Sequence, residues 1–187
     1  MREIETPQGT ARVHQQDAPG PRARLVLGHG AGGSVSAPDL QTATRVALEE
    51  GISVALVEQP YLVAGKKSTP APPKLDEAWV SVLEQIDDGL PHISGGRSSG
   101  ARVACRTAKA TGAVGVLALA FPLITPKGVS RQDELDGVEV PLLVVQGAND
   151  RFGVPYGAVV IGGDHGLKAD HGALADAVRA WLRDVAA

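Results

Sequence analysis

Ile93-Ser94-Gly95-Gly96-Arg97-Ser98-Ser99-Gly100-Ala101-Arg102-Val103-Ala104 is the stretch on which the reading of this chain turns. Within it, Gly96-Arg97-Ser98-Ser99-Gly100 fits G-x-S-x-G, the spelling of a nucleophile elbow. In such an elbow a strand ends, the chain turns sharply and a helix begins at once. The serine sits at the turn in a strained backbone conformation, its hydroxyl held above the sheet edge. Gly96 and Gly100 leave room for neighbouring backbone that a side chain would occupy. The following helix aims its positive end at Ser98, and the free N–H of Ser99 points to where an oxyanion forms. The competing reading is a glycine-rich strand-to-helix turn without chemistry. His92-Ile93-Ser94 is a short, poor strand after Pro91. On the other side the pattern is clear: Ala101, Ala104, Cys105 and Ala108 recur at helical spacing, and Gly112 stops the helix.

Outward from the elbow, apolar strand runs alternate with amphipathic helices. Glu3–Thr6 and Thr10–His14 flank Pro7-Gln8-Gly9 and predict an N-terminal hairpin. Strands are predicted at Arg24–Leu27, Ile52–Val57, Val114–Ala120, Pro141–Val145 and Ala158–Ile161. A helix is predicted from Ser36–Asp39 to Gly51, since proline and aspartate suit a first turn. Leu75, Trp79, Val82, Leu83 and Ile86 mark a second helix, and Leu174, Val178, Trp181, Leu182 and Val185 the closing one. Pro60–Pro73 and Phe121–Gly137 read as loops. The alternation predicts a mostly parallel sheet with helices on both faces, an α/β fold in a single domain over residues 1–187. Such sheets place chemistry at the carboxyl ends of their strands.

Those strand ends carry Gly28-His29-Gly30, Ser98, Asp150 and, after the last strand, His165. A serine hydroxyl needs a general base within hydrogen-bond reach, and the base needs an orienting carboxylate. Ser98, Asp150, His165 is the chain order this architecture requires. A second oxyanion donor is expected at the Ala31 N–H, beside that of Ser99. Each member has a plainer reading. Asp150 can cap a turn. His165 has a rival in His171, which lies at the start of the last helix and reads as a solvated residue. His29 reads as packing below the site. Arg97 reads as a structural ion pair before it reads as a ligand for a substrate carboxylate. Gly28–Gly33 also matches G-x-G-x-x-G, with Glu58 placed as a ribose-binding acid, so a dinucleotide site competes. That reading leaves Ser98, Asp150 and His165 without a purpose.

The chain resembles the α/β-hydrolase superfamily over nearly its whole length, in its small, capless, dienelactone-hydrolase-like branch. That branch is similar to a eukaryotic group with a testis-expressed protein and a histone-acetyltransferase-complex subunit. The resemblance rests on Gly28-His29-Gly30-Ala31-Gly32, Gly95–Arg102, Phe121-Pro122-Leu123, Gln146–Gly153 and Asp164-His165-Gly166. It implies Ser98 as nucleophile, Asp150 as acid and His165 as base. There are two departures. Dienelactone hydrolases carry a cysteine nucleophile where this elbow has serine. Arg151–Gly157 is also too short for the helix that usually precedes the last strand.

The expectation is therefore a serine hydrolase acting on a small-molecule acyl substrate through an acyl-enzyme, with no cofactor and no metal. A non-catalytic scaffold on the same fold is the alternative. Tyr61, Leu62, Phe121, Leu123 and Phe152 are the expected walls of an open, partly apolar site. The 187 residues are 43% hydrophobic and 21% charged, with a formal net charge of −3, which makes no case for nucleic acid or an anionic membrane surface. The single cysteine, Cys105, excludes an intrachain disulfide and falls on an apolar helix face. No apolar h-region or membrane span is evident, so a cytoplasmic protein is expected. The last strand lacks cover on one face, which predicts a homodimer near Tyr156–Ile161.

Overall fold

The computed structural model describes residues 1–187. In chain order the elements are β1 (Arg2–Thr6), β2 (Gly9–Gln16), β3 (Arg24–Gly28), α1 (Pro38–Glu49), β4 (Ser53–Glu58), α2 (Pro60–Val63) and α3 (Pro72–Ile86). Then follow β5 (His92–Arg97), α4 (Ser99–Thr111), β6 (Gly115–Leu119), α5 (Gln132–Asp136), β7 (Leu142–Gly147), β8 (Val159–Ile161) and α6 (His171–Val185). All eight strands form one sheet in the order β1-β2-β4-β3-β5-β6-β7-β8. The N-terminal hairpin pairs antiparallel, β2 pairs antiparallel with β4, and every pair from β4 to β8 is parallel.

The two-residue period of each strand divides the core between the two sheet faces. Leu25 and Leu27 of β3 join Leu40, Ala43 and Val46 of α1 and Leu174, Val178 and Leu182 of α6. Val26, one residue out of phase, faces Trp79, Val82 and Leu83 of α3. Val116 and Ala118 pack with Ala101, Ala104 and Cys105 of α4. The central strands are buried on both sides, as a parallel sheet requires. No helix is long and apolar enough to cross a membrane, and no cap domain interrupts the alternation.

Four elements differ from the sequence reading. β5 is a full strand that continues to Arg97, not a poor one ending at Ser94. Its glycines are what allow this: a Cβ at Gly95 would stand 2.8 Å from the Leu117 carbonyl oxygen of the neighbouring strand. α3 starts at Pro72, three residues before Leu75, because two prolines fit a first turn whose N–H groups need no partner. The segments expected as loops, Pro60–Pro73 and Phe121–Gly137, contain the short helices α2 and α5. Such short pieces leave no periodic pattern to read. The Arg151–Gly157 connection is built of turns, without a helix.

Candidate active site

The elbow is set by backbone packing. Ser98 stands between β5 and α4 at φ +51° and ψ −112°, a left-handed conformation that a serine adopts only under constraint. Two glycines permit the turn. A Cβ at Gly96 would meet the Gly28 carbonyl oxygen at 2.6 Å and the Gly100 carbonyl carbon at 2.8 Å. A Cβ at Gly100 would run into the Gly28 and His29 backbone. The turn is held from β6, since the Ser98 N–H donates to the Leu119 carbonyl at 2.9 Å.

From this perch the Ser98 Oγ lies 3.0 Å from Nε2 of His165. The other ring nitrogen, Nδ1, donates to Oδ2 of Asp150 at 2.8 Å. A carboxylate only accepts, so the proton sits on Nδ1, and Nε2 is left as an acceptor facing the Ser98 hydroxyl. The Asp150 side chain is fully buried. Its Oδ1 accepts from the Phe152 N–H at 2.9 Å, and its Oδ2 also accepts from Nε2 of Gln146 at 2.8 Å. Gln146 is itself buried and donates to the carbonyls of Phe121 and Gly153. Three positions far apart in sequence thus meet above one sheet edge.

The loop after β3 passes over Ser98. A Cβ at Gly30 would lie 3.5 Å from that of Ser98. Gly30–Gly33 closes as a turn, with the Gly33 N–H donating to the Gly30 carbonyl at 3.0 Å. Neither the Ala31 nor the Ser99 N–H is spent on a loop or turn hydrogen bond. His29 anchors the loop from below. Its Nδ1 donates to the Gly30 carbonyl at 2.8 Å, and its Nε2 accepts from the Gln59 N–H at 3.0 Å. Burial pushes its pKa down against the opposing pull of the Gly30 carbonyl, so the ring is neutral. The glycine loop therefore packs on the elbow, and α1 begins only at Pro38, well past Gly33. A dinucleotide fingerprint needs the helix to open within the loop, and Glu58 is engaged with His14 at 3.1 Å.

A family model for the alpha/beta hydrolase domain matches residues 21–157. The chain belongs to this family. Among solved structures it is similar to a serine hydrolase without lid from Xanthomonas campestris, with 20% identity and a TM-score of 0.81 over 98% of this chain and 93% of that one. It is similar to Est1E from Butyrivibrio proteoclasticus with ferulic acid bound, with 14% identity and a TM-score of 0.83 over 98% of each chain. It is also similar to dienelactone hydrolase from Anabaena variabilis, with 14% identity and a TM-score of 0.76 over 98% of this chain and 95% of that one. At these identities the likeness is one of fold. No curated protein matches the sequence.

Within this alpha/beta hydrolase the expected wall residues separate. Phe152 sets its ring edge-on to His165, with centroids 4.7 Å apart, and Arg151 stacks over its face. Leu123 lies beside Gly153, next to Phe152. Leu123 is nonetheless buried in the α4-side core, and it and the other three are corrections. Phe121 is fully buried in the α4-side core. Tyr61 is buried against His29, and Leu62 packs on the same hairpin-side core, because α2 turns their side chains inward. His171 is exposed at the start of α6 and contacts Thr42, away from Ser98. Cys105 is buried and its thiol is pushed up to about 12, so it stays protonated and inert. Sequence alone does not place Gln146 and Asp39 at the site. Gln146 carries a signal, as the one polar residue in the run Leu142–Gln146. Asp39 reads only as a first-turn acid.

Proposed function

We propose that the protein hydrolyses an ester or related acyl bond of a small molecule through an acyl-enzyme. The observation that carries the proposal is the Ser98–His165–Asp150 chain, closed at 3.0 and 2.8 Å with the tautomer that a general base needs. His165 takes the Ser98 proton as the hydroxyl attacks the acyl carbon. It then returns the proton to the leaving group and later activates water. Asp150 holds the ring and stabilises the imidazolium. The Ala31 and Ser99 amides receive the oxyanion, aided by the positive end of α4. Phe152 offers an apolar surface beside the base. With no cap over it, the site suits a substrate that lies across an open surface. Est1E, which binds ferulic acid, and the serine hydrolase without lid lend this carboxylesterase-like reading weight by fold alone. A cytoplasmic location belongs to the same proposal.

The test is labelling with a fluorophosphonate. Wild-type protein should be modified at Ser98. Ser98→Ala should escape labelling and lose hydrolysis by roughly 10⁶-fold, the scale of triad removal elsewhere, while Ser99→Ala keeps its backbone N–H and its activity. A folded wild-type protein that ignores the probe and cleaves no activated ester would favour the non-catalytic scaffold.

A further inference from the structure

Arg97 immediately precedes the nucleophile and is the last residue of β5. Its Nε donates to Oδ2 of Asp39 at 2.7 Å, and its Nη2 donates to the main-chain carbonyl of His165 at 2.8 Å. Its Nη1 lies where a Cβ on Gly30 would be 3.0 Å away. One planar guanidinium therefore touches the oxyanion loop, the base and α1, while its own backbone belongs to the elbow. Asp39 is fully buried and its Oδ1 accepts from the Leu40 N–H at 2.9 Å. That fixes the carboxylate, and the carboxylate in turn fixes the fork of Arg97.

The loop around His165 is tied to the β7 turn by the Asn149 N–H donating to the Gly163 carbonyl at 2.9 Å, and Leu167 is buried in the core, but neither contact reaches His165 itself. The Arg151–Gly157 connection lacks a helix. Leu167 N–H donates to the Asp164 carbonyl at 3.1 Å, and Gly166 N–H to the Asp164 side chain at 2.8 Å. Arg97 alone hydrogen-bonds the main chain of His165. The neighbouring arginines behave differently. Arg102 and Arg106 pair with Glu134 and Asp76, tying α4 to α5 and α3, and hydrogen-bond none of Ser98, Asp150 or His165. We propose that Arg97, held by Asp39, is a positioning residue that sets the distance between the His165 ring and Ser98. The proposal rests on the triad reading above.

Lysine separates positioning from burial of charge. Arg97→Lys keeps a cation for Asp39, but one nitrogen must replace a fork that serves two acceptors. It should retain a cooperative melt near that of wild type and a KM within about twofold on a short activated ester. Its kcat should fall about 10²-fold, the cost of a misplacement near 1 Å. The far-downfield proton resonance of His165 Nδ1–H, identified by its loss in His165→Ala, should broaden or exchange faster. The double variant Arg97→Met with Asp39→Asn leaves no buried charge unpaired. It should lose kcat similarly. A folded Arg97→Lys with full kcat and an unchanged resonance overturns the proposal. So does a raised KM with intact kcat, which would make Arg97 a substrate ligand. Wild-type protein that resists the fluorophosphonate defeats the triad reading separately, and the resonance still decides whether Arg97 holds the ring.

Discussion

Ser98 and His165 stand 3.0 Å apart and are held in opposite ways. Ser98, the proposed nucleophile, is fixed by close backbone packing. Gly96 and Gly100 let β5 and α4 meet the loop after β3, and the strained φ of Ser98 follows from that contact. His165, the proposed base, is fixed by side chains brought from elsewhere. Asp150 orients the ring, Gln146 supports Asp150, and Arg97 reaches across the sheet edge to the His165 carbonyl. One half of the pair is therefore built by close backbone packing and the other by side-chain hydrogen bonds, and both reach across 68 positions, from Gly96 to Gly28 and from Arg97 to His165. The difference teaches where each half is fragile. A steric arrangement fails when an atom is added. A hydrogen-bonded arrangement fails when a donor is removed.

The elbow should break hardest. Gly96→Ala puts a methyl group 2.6 Å from one main-chain oxygen and 2.8 Å from a main-chain carbon. Backbone on both sides cannot swing away as a side-chain tip can. We expect a loss of about 3 kcal/mol or more, which lowers the melting midpoint by roughly 10 °C for a chain of this size. Thermal denaturation of the purified variant checks it. A Gly96→Ala protein that melts like wild type would show that the elbow yields, and the contrast with the base would then lose its first half.

The same contrast explains what the sequence discloses. Ser98 is legible because the glycines that allow the turn are spelled beside it, although the backbone they clear, at Gly28, is distant in sequence. The alternation of strands and helices is legible for the same reason, since each element's period is its own. Asp150 and His165 are legible from chain order and strand ends, and the helix-free Arg151–Gly157 segment from its glycines and proline. The partners of the base are not. Nothing near Asp39 indicates that its carboxylate meets Arg97, 58 positions on, because the register of β3 against β5 and the packing of α1 decide it. Tyr61 and Phe121 misled as wall residues for a related reason. An aromatic residue in an apparent loop reads as exposed until a short helix or a close-packed crossing turns it inward.

A smaller effect is expected at the support of the base. Gln146→Met keeps the volume of the side chain and deletes donors to Asp150, Phe121 and Gly153. Buried acceptors left without a partner cost about 1–3 kcal/mol, so a loss near 2 kcal/mol in urea denaturation is expected. Activity should fall about tenfold as Asp150 relaxes, with fluorophosphonate labelling of Ser98 slowed in proportion. If stability drops while labelling keeps its rate, Asp150 is held by the Phe152 N–H and His165 alone. His165 would then lean on fewer side chains than the comparison supposes.

The smallest effect on chemistry is expected at β8, and it tests whether the base side draws support from outside the chain. β8 is the edge of the sheet, and its outer backbone groups face no strand. Val159 is 41% exposed, Val160 52% and Tyr156 93%. No lysine guards this edge between Tyr156 and Ile161, whereas monomeric proteins commonly protect such strands with charge or proline. Antiparallel pairing of two β8 strands about a twofold axis would be self-complementary and would cover the exposed valines. We propose that two copies associate here. Light scattering over a concentration series should show a dimer for wild type. Val160→Lys should be monomeric with hydrolysis within about twofold of wild type, since solvent-facing substitutions seldom disturb the fold. A monomer at every concentration sinks the idea. A Val160→Lys protein that is monomeric and has lost activity would alter the comparison more deeply, because His165 would then depend on a neighbouring subunit as well as on Arg97.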